Sequence, residues 1–188
     1  TEELYPGFQF TTFSYALSLL RPDIIHDLEL TKHGFMPLLM SSTFAPMENG
    51  DYLWLGQDHG QNLKEIARHS QHDADAYTQY SHDLDMVCQA LKPLLDAAPP
   101  DLFSDDPEKL LALASLGSRF RRMDKRLLHN TVRLLTGRAA DFLDDYFESD
   151  ILKGYLASTS IIGTKVGPRS QGSGLVLLYH SIGEHDGA

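Results

Sequence analysis

The chain has 188 residues, 42% hydrophobic and 22% charged, with 16 Lys plus Arg against 26 Asp plus Glu for a formal charge of −10. That composition fits a globular domain able to bury a core and excludes a wholly disordered or collagen-like chain. The acidic balance argues against general nucleic-acid binding, and the single cysteine, Cys88, excludes an internal disulfide or a thiolate zinc cluster.

No apolar run approaches the roughly 18 residues that a membrane-spanning helix needs. One thiol suits a reducing compartment, so a cytoplasmic protein is expected. The sequence opens on Thr1 rather than Met and stops at Ala188 soon after an apolar element, so it reads as a fragment.

In chain order, an extended entry is punctuated by Pro6-Gly7 and carries Phe8, Phe10 and Phe13. A helical piece over residues 14–20 must yield at Arg21, because Pro22 disfavours helical backbone in the residue before it and suits the first turn of a new helix. Ile24, Ile25, Leu28 and Leu30 are expected to give that second helix a buried side. His33-Gly34 closes it, with Gly34 in the left-handed region.

The period then changes from helix to strand. Residues 35–44, the turn residues Glu48-Asn49-Gly50-Asp51 and residues 52–55 read as a β-hairpin, because Asn-Gly accepts the positive φ of a tight turn. Pro37 and Pro46 point to an edge or interrupted first strand. From Gln57 onward the pattern is helical. Asp58 or Gly60 opens one helix, and Ser70 with Asp73 caps a longer one whose stripe is Ala74, Tyr77, Tyr80, Leu84, Val87, Leu91 and Leu94.

A Pro- and Asp-rich loop over 97–106 precedes a helix starting at Asp106-Pro107-Glu108. Further helices are expected at 119–135, 138–147 and 150–157, with Thr136 and Ser149 as caps. A glycine-rich loop over 163–174 then leads to an apolar element at 175–182, read as helix. The fold class expected is α+β, mostly helical with a small antiparallel β-hairpin.

Several arrangements of residues bear on chemistry. Gly172-Ser173-Gly174 lacks the third glycine and the preceding strand of a dinucleotide fingerprint, and no P-loop or Gly-x-Ser-x-Gly elbow occurs, although Ser14, Ser173 and Ser181 are present. Four His-Asp pairs stand at His26-Asp27, His72-Asp73, His82-Asp83 and His185-Asp186. Metal-dependent phosphohydrolases of the HD type use such a pair, so that class is an alternative reading, alongside a non-catalytic helical interaction module. The ten-residue spacing of His72 and His82 and a cap at Ser70 favour exposed histidines on polar faces instead.

Cys88 reads as a packed thiol. Lys165 and Arg169 in the glycine-rich loop could face an anion. Arg119, Arg121, Arg122, Lys125, Arg126, Arg133 and Arg138 put seven cations into twenty positions. A helix face paired with nearby acids is expected there, in preference to a phosphate or membrane-surface site.

Local sequence reaches further than spacing. The opening Thr1-Glu2-Glu3-Leu4-Tyr5-Pro6-Gly7-Phe8-Gln9-Phe10, then Ser14-Tyr15-Ala16-Leu17-Ser18-Leu19-Leu20-Arg21-Pro22, Leu28-Glu29-Leu30-Thr31-Lys32-His33-Gly34 and the distal Leu177-Leu178-Tyr179-His180-Ser181-Ile182-Gly183-Glu184, resemble the phytoene dehydrogenase-like FAD-dependent oxidoreductases, in their pyridine nucleotide-disulfide oxidoreductase domain-containing branch. The resemblance implies the central, substrate and cap part of a flavoprotein with two dinucleotide-binding motifs, neither of which is in this sequence.

It implies three stretches: a flavin-proximal segment with hairpin over 1–58, a helical cap over 59–160, and a glycine-rich loop with apolar element over 161–188. It implies hydride transfer from a small hydrophobic substrate to FAD in the full-length protein, with no cofactor held by this piece alone. By the same resemblance Phe13, Ser14, Tyr15 and Arg21 are flavin-binding candidates, and Tyr179 and His180 substrate-binding ones. No metal and no nucleic-acid partner is expected, while a peripheral membrane contact and a homo-oligomer stay open.

Overall fold

The computed structural model describes residues 2–10, 17, 20–38, 41–95, 103 and 105–184. The chain divides into two compact units, Thr1–Met40 with Gly183–Ala188, and Ser41–Ile182.

In the first unit, strand β1 (Glu2–Tyr5) pairs antiparallel with β2 (Phe8–Phe10). The turn is Pro6-Gly7, where Gly7 takes a φ of +84° that few other residues tolerate. Helix α1 (Pro22–Asp27) starts on its proline as expected, and a 3-10 turn follows at Leu30–His33. Gly34 closes that turn with φ +86°.

The expected buried side does not form: Ile24 is 41% and Leu28 60% exposed, and among the described residues of this unit none is buried. A six-residue helix and two strands of three and four residues are too short to cover an apolar stripe. Of the helix expected over 14–20, only Leu17 and Leu20 lie within the described residues, and neither is helical.

In the second unit, β3 (Ser42–Pro46) pairs antiparallel with β4 (Tyr52–Gly56), with Phe44 opposite Trp54. The first strand begins at Ser42 and not at residue 35, and Gly50 supplies the positive φ of the turn. Alternation along β4 buries Leu53 and Leu55 while Tyr52 and Trp54 face outward. Asp58 caps α2 (His59–Ala67) by accepting the Gln61 N–H at 3.0 Å. The Asn62 amide then takes the Gly56 N–H and gives to the Gly56 carbonyl, both at 2.8 Å, tying α2 to the hairpin.

Helix α3 (Gln71–Leu95) is the long spine, and Ser70 caps it by accepting the Asp73 N–H at 3.1 Å. Its stripe of Ala74, Tyr80, Leu84, Val87, Cys88 and Leu91 is buried, while Tyr77 and Leu94 are half-buried. Asp106 caps α4 (Pro107–Arg122). The expected helix over 119–135 is in fact broken. After α4 ends at Arg122, Met123 is extended and Asp124 accepts the N–H groups of both Arg126 and Leu127, starting α5 (Lys125–Thr136).

Thr136 is the last residue of α5 and Gly137 caps it. Helices α6 (Ala139–Asp144), α7 (Asp150–Ala157) and α8 (Ser173–Glu184) follow, so the apolar element is helical and starts two residues earlier than expected.

One core unites the elements of this unit: Leu53, Ile66, Val87, Leu134, Phe142, Leu143, Leu152, Leu177 and Leu178 are each 2% exposed or less. Each such side chain contributes about 1.5–3 kcal/mol on burial. Tyr80 anchors an aromatic cluster, edge-on to Phe147 at 5.0 Å and to Tyr146 at 5.5 Å.

Gly172-Ser173-Gly174 is a packing device. Gly172 has φ +85°, a Cβ on Gly174 would stand 2.8 Å from the Leu134 carbonyl, and buried Ser173 accepts the Ala139 N–H at 2.9 Å. The α8 start is thereby pressed onto the end of α5. Among the described residues no helix is long and apolar enough to cross a membrane.

Candidate functional site

Of the flavin candidates, Phe13, Ser14 and Tyr15 lie outside the described residues. Arg21 is described: it precedes α1 in extended conformation, and its guanidinium donates to Asp23 at 3.0 Å. The substrate candidates sit one after the other on α8. Tyr179 is 45% exposed and His180 half-buried, their rings edge-on at 5.6 Å, while Leu177, Leu178 and Ile182 turn inward. The pair therefore sits off the buried stripe of an otherwise packed helix.

Two polar constellations in the second unit depend on residues far apart in sequence. Asp73 is fully buried and accepts the Glu148 N–H at 2.8 Å and the Ser149 N–H at 3.0 Å. Ser149 precedes α7 as expected, but its side chain makes no cap bond; Asp73 supplies that function from 76 residues away. Ser70 completes the clamp by donating to Glu148 at 2.8 Å.

One ligand atom from each of His72, Asp73 and Glu148 falls within 4.8 Å of the others, a metal-like grouping. The donor set does not suit a cation. Both Asp73 oxygens already accept backbone N–H groups, and the starts of α3 and α7, the positive ends of two helices, converge there. A carboxylate completes such a place without further charge. His26 and Asp27 form an exposed contact at 3.4 Å, His82 is exposed, and His185 and Asp186 lie outside the described residues.

The second constellation surrounds Asp83 on α3. Arg126 Nε donates to both Asp83 oxygens at 3.0 Å and its Nη2 to one at 2.5 Å, the Tyr146 hydroxyl donates at 2.6 Å, and Gln79 donates at 3.0 Å. Burial on its own raises the Asp83 pKa, but the Arg126 guanidinium, the Tyr146 hydroxyl and Gln79 more than reverse it, so the carboxyl titrates below its ordinary range. Tyr146 is pushed up to about 12, first by burial and then by the adjacent carboxylate.

Gln79, His82, Asp83, Arg126 and Asn130 line an open cleft of about 260 Å³. Because Arg126 and Tyr146 lie 43 and 63 residues from Asp83, no local pattern announces the set.

Elsewhere, Lys153 donates to Asp144 at 2.9 Å and sits 3.4 Å from Asp150, beside Arg169 in a cleft of about 160 Å³. Its ammonium is held above its ordinary pKa by the Asp144 hydrogen bond, which outweighs the opposing effect of desolvation. The three remaining nucleophile candidates are otherwise engaged or out of view: Ser173 packs the α8 start, Ser181 donates to the Leu177 carbonyl at 2.9 Å, and Ser14 lies outside the described residues.

The basic cluster divides in two. Arg126 pairs with Asp83, Arg133 with Asp145 and Arg138 with Asp141. Contrary to the paired face expected, Arg119, Arg121, Arg122 and Lys125 are exposed and form no ion pair among the described residues.

The described residues do not fit a self-contained FAD site. A pyrophosphate needs glycine backbone between a strand and a helix start. Here Gly7 turns a hairpin, Gly34 ends a 3-10 turn, and Gly172 and Gly174 serve packing against α5. Gly56 does lie between β4 and α2, but its N–H and carbonyl are both taken by the Asn62 amide and Asp58 occupies the α2 start. Arg21 is engaged by Asp23.

Two curated proteins are similar to the whole of this chain. Both are named pyridine nucleotide-disulfide oxidoreductase domain-containing protein 2; the one from Rattus norvegicus is 38% identical and the one from Mus musculus 39%. The chain spans about a third, 35%, of the length of each relative. No protein-family profile and no solved structure matches the chain. The resemblance seen in the opening and distal segments thus extends from end to end.

Proposed function

We propose that this chain is the substrate-side and cap portion of an FAD-dependent oxidoreductase of the dehydrogenase or desaturase type, acting on a small hydrophobic organic substrate. The observation that carries this reading is the end-to-end similarity, at 38–39% identity, to proteins whose names declare an oxidoreductase domain. FAD would be gripped by parts of the longer protein, since the described residues offer no dinucleotide cradle. In this reading Phe13, Ser14, Tyr15 and Arg21 flank the flavin. Tyr179 and His180 face the substrate from α8, where their position off the packed stripe leaves them available.

The test compares this 188-residue chain with a longer one that adds the flanking sequence. The longer chain is expected to purify yellow, with one flavin per polypeptide, and the short one to take up no FAD on titration. A longer chain that neither retains nor acquires flavin removes the reading. Tight stoichiometric FAD binding by the short chain removes the division of labour within it.

A further inference from the structure

Arg119, Arg121 and Arg122 end α4 and Lys125 starts α5, so four exposed cations occupy seven positions of a chain with net charge −10. The three arginines complement the negative end of α4. Lys125 does the opposite, since it stands at the positive end of α5, and the intervening Asp124 is turned onto its own helix start. Internal electrostatics therefore do not account for the full cluster, and no described acid neutralises it.

Exposed aliphatic side chains flank the cations on both helices. Leu110 is 47% and Leu111 70% exposed, although α4 has its own inward side, through which Phe120 packs on the core. Arg121 and Arg122 follow Leu110 and Leu111 by eleven residues, about three turns, which places all four on one outward sector. On α5, Lys125, Leu128, His129 and Val132 follow the i, i+3, i+4, i+7 spacing of a single stripe, with Leu128 and Val132 exposed. None of the residues on these outward faces is Phe, Tyr or Trp, the usual platforms for stacking nucleic-acid bases.

We infer that the α4–α5 elbow is a docking surface for an anionic phospholipid bilayer. Arg121, Arg122 and Lys125 meet headgroup phosphates, with Arg119 adding to the local positive field, and Leu110, Leu111, Leu128 and Val132 enter the boundary between headgroups and acyl chains. The acidic remainder of the chain does not prevent this, because charges more than about 8 Å away are screened at physiological salt.

The experiment is co-sedimentation of this chain with phosphatidylcholine vesicles, with and without about one third phosphatidylserine, at two salt concentrations. Binding is expected only with phosphatidylserine and should weaken as salt rises. At about fivefold per cation near such a surface, R121A/R122A should bind roughly 25-fold more weakly. L110S/L111S should also bind more weakly, with the salt dependence retained. Circular dichroism matching the unsubstituted chain shows that each variant is folded, and K125A, at a site without packing, gives the same answer by a second route. Failure to bind anionic vesicles, equal binding to phosphatidylcholine alone, unchanged binding by folded R121A/R122A and K125A, or capture of duplex DNA but not vesicles would each overturn the inference.

Discussion

Residues 1–40 and residues 41–182 are similar in kind, both rich in leucine, isoleucine and aromatic side chains, yet among the described residues only the second set builds a core. In the second unit a 25-residue helix repeats its apolar positions at helical spacing and offers one continuous stripe to a core shared with a hairpin and five other helices. In the first, the same residue types sit on elements of three to six residues, and Leu4, Tyr5, Phe8, Met36 and Leu38 stay 60% exposed or more. Hydrophobic content is thus not burial; length and period decide whether content becomes packing.

The largest expected effect is in the core of the second unit. Phe142→Ala removes a ring that is 1% exposed and should cost about 3–5 kcal/mol, read as a lowered urea midpoint. If it costs less than about 1 kcal/mol, the two units do not differ as described. Next is Asp73→Ala, which strips the cap from the Glu148 and Ser149 N–H groups at the α7 start and leaves an unfilled space where a fully buried carboxylate stood. A loss of about 2–4 kcal/mol is expected, with faster amide exchange at the α7 start.

A titration sharpens the comparison further. Asp83 has a folded pKa below its unfolded value near 4, so its contribution is complete above that pH and is lost as pH falls through the folded value. Tyr146 runs the other way: raised from 10.0 to about 12, it stabilises fully below pH 10 and loses its effect between 10 and 12. Ultraviolet phenolate titration should show one tyrosine ionising late, and Asp83→Asn should bring it earlier. The smallest effect is expected at the surface of the first unit, where Leu38→Ser should change stability by less than about 0.5 kcal/mol.

What could be read from sequence was what is local. Asp58, Ser70 and Asp106 announced helix starts because a cap acts within three residues, and Asn49-Gly50 with alternating Leu53 and Leu55 announced a hairpin. The first hairpin escaped because three- and four-residue strands show too little alternation, although Pro6-Gly7 was its signal. The α4–α5 break escaped because Phe120 and Leu127 keep the helical period across it, and only the aspartate between them interrupts. The Asp73 and Asp83 constellations had no local signature at all. The flavin and substrate candidates rested on resemblance, not on any pattern of spacing.

Cys88, packed at 1% exposure in the middle of α3, is the chain's sole thiol. A reagent such as an aromatic disulfide can reach it only when the helical unit opens. The rate of thiol labelling therefore counts the openings of residues 41–182 directly, on their own timescale.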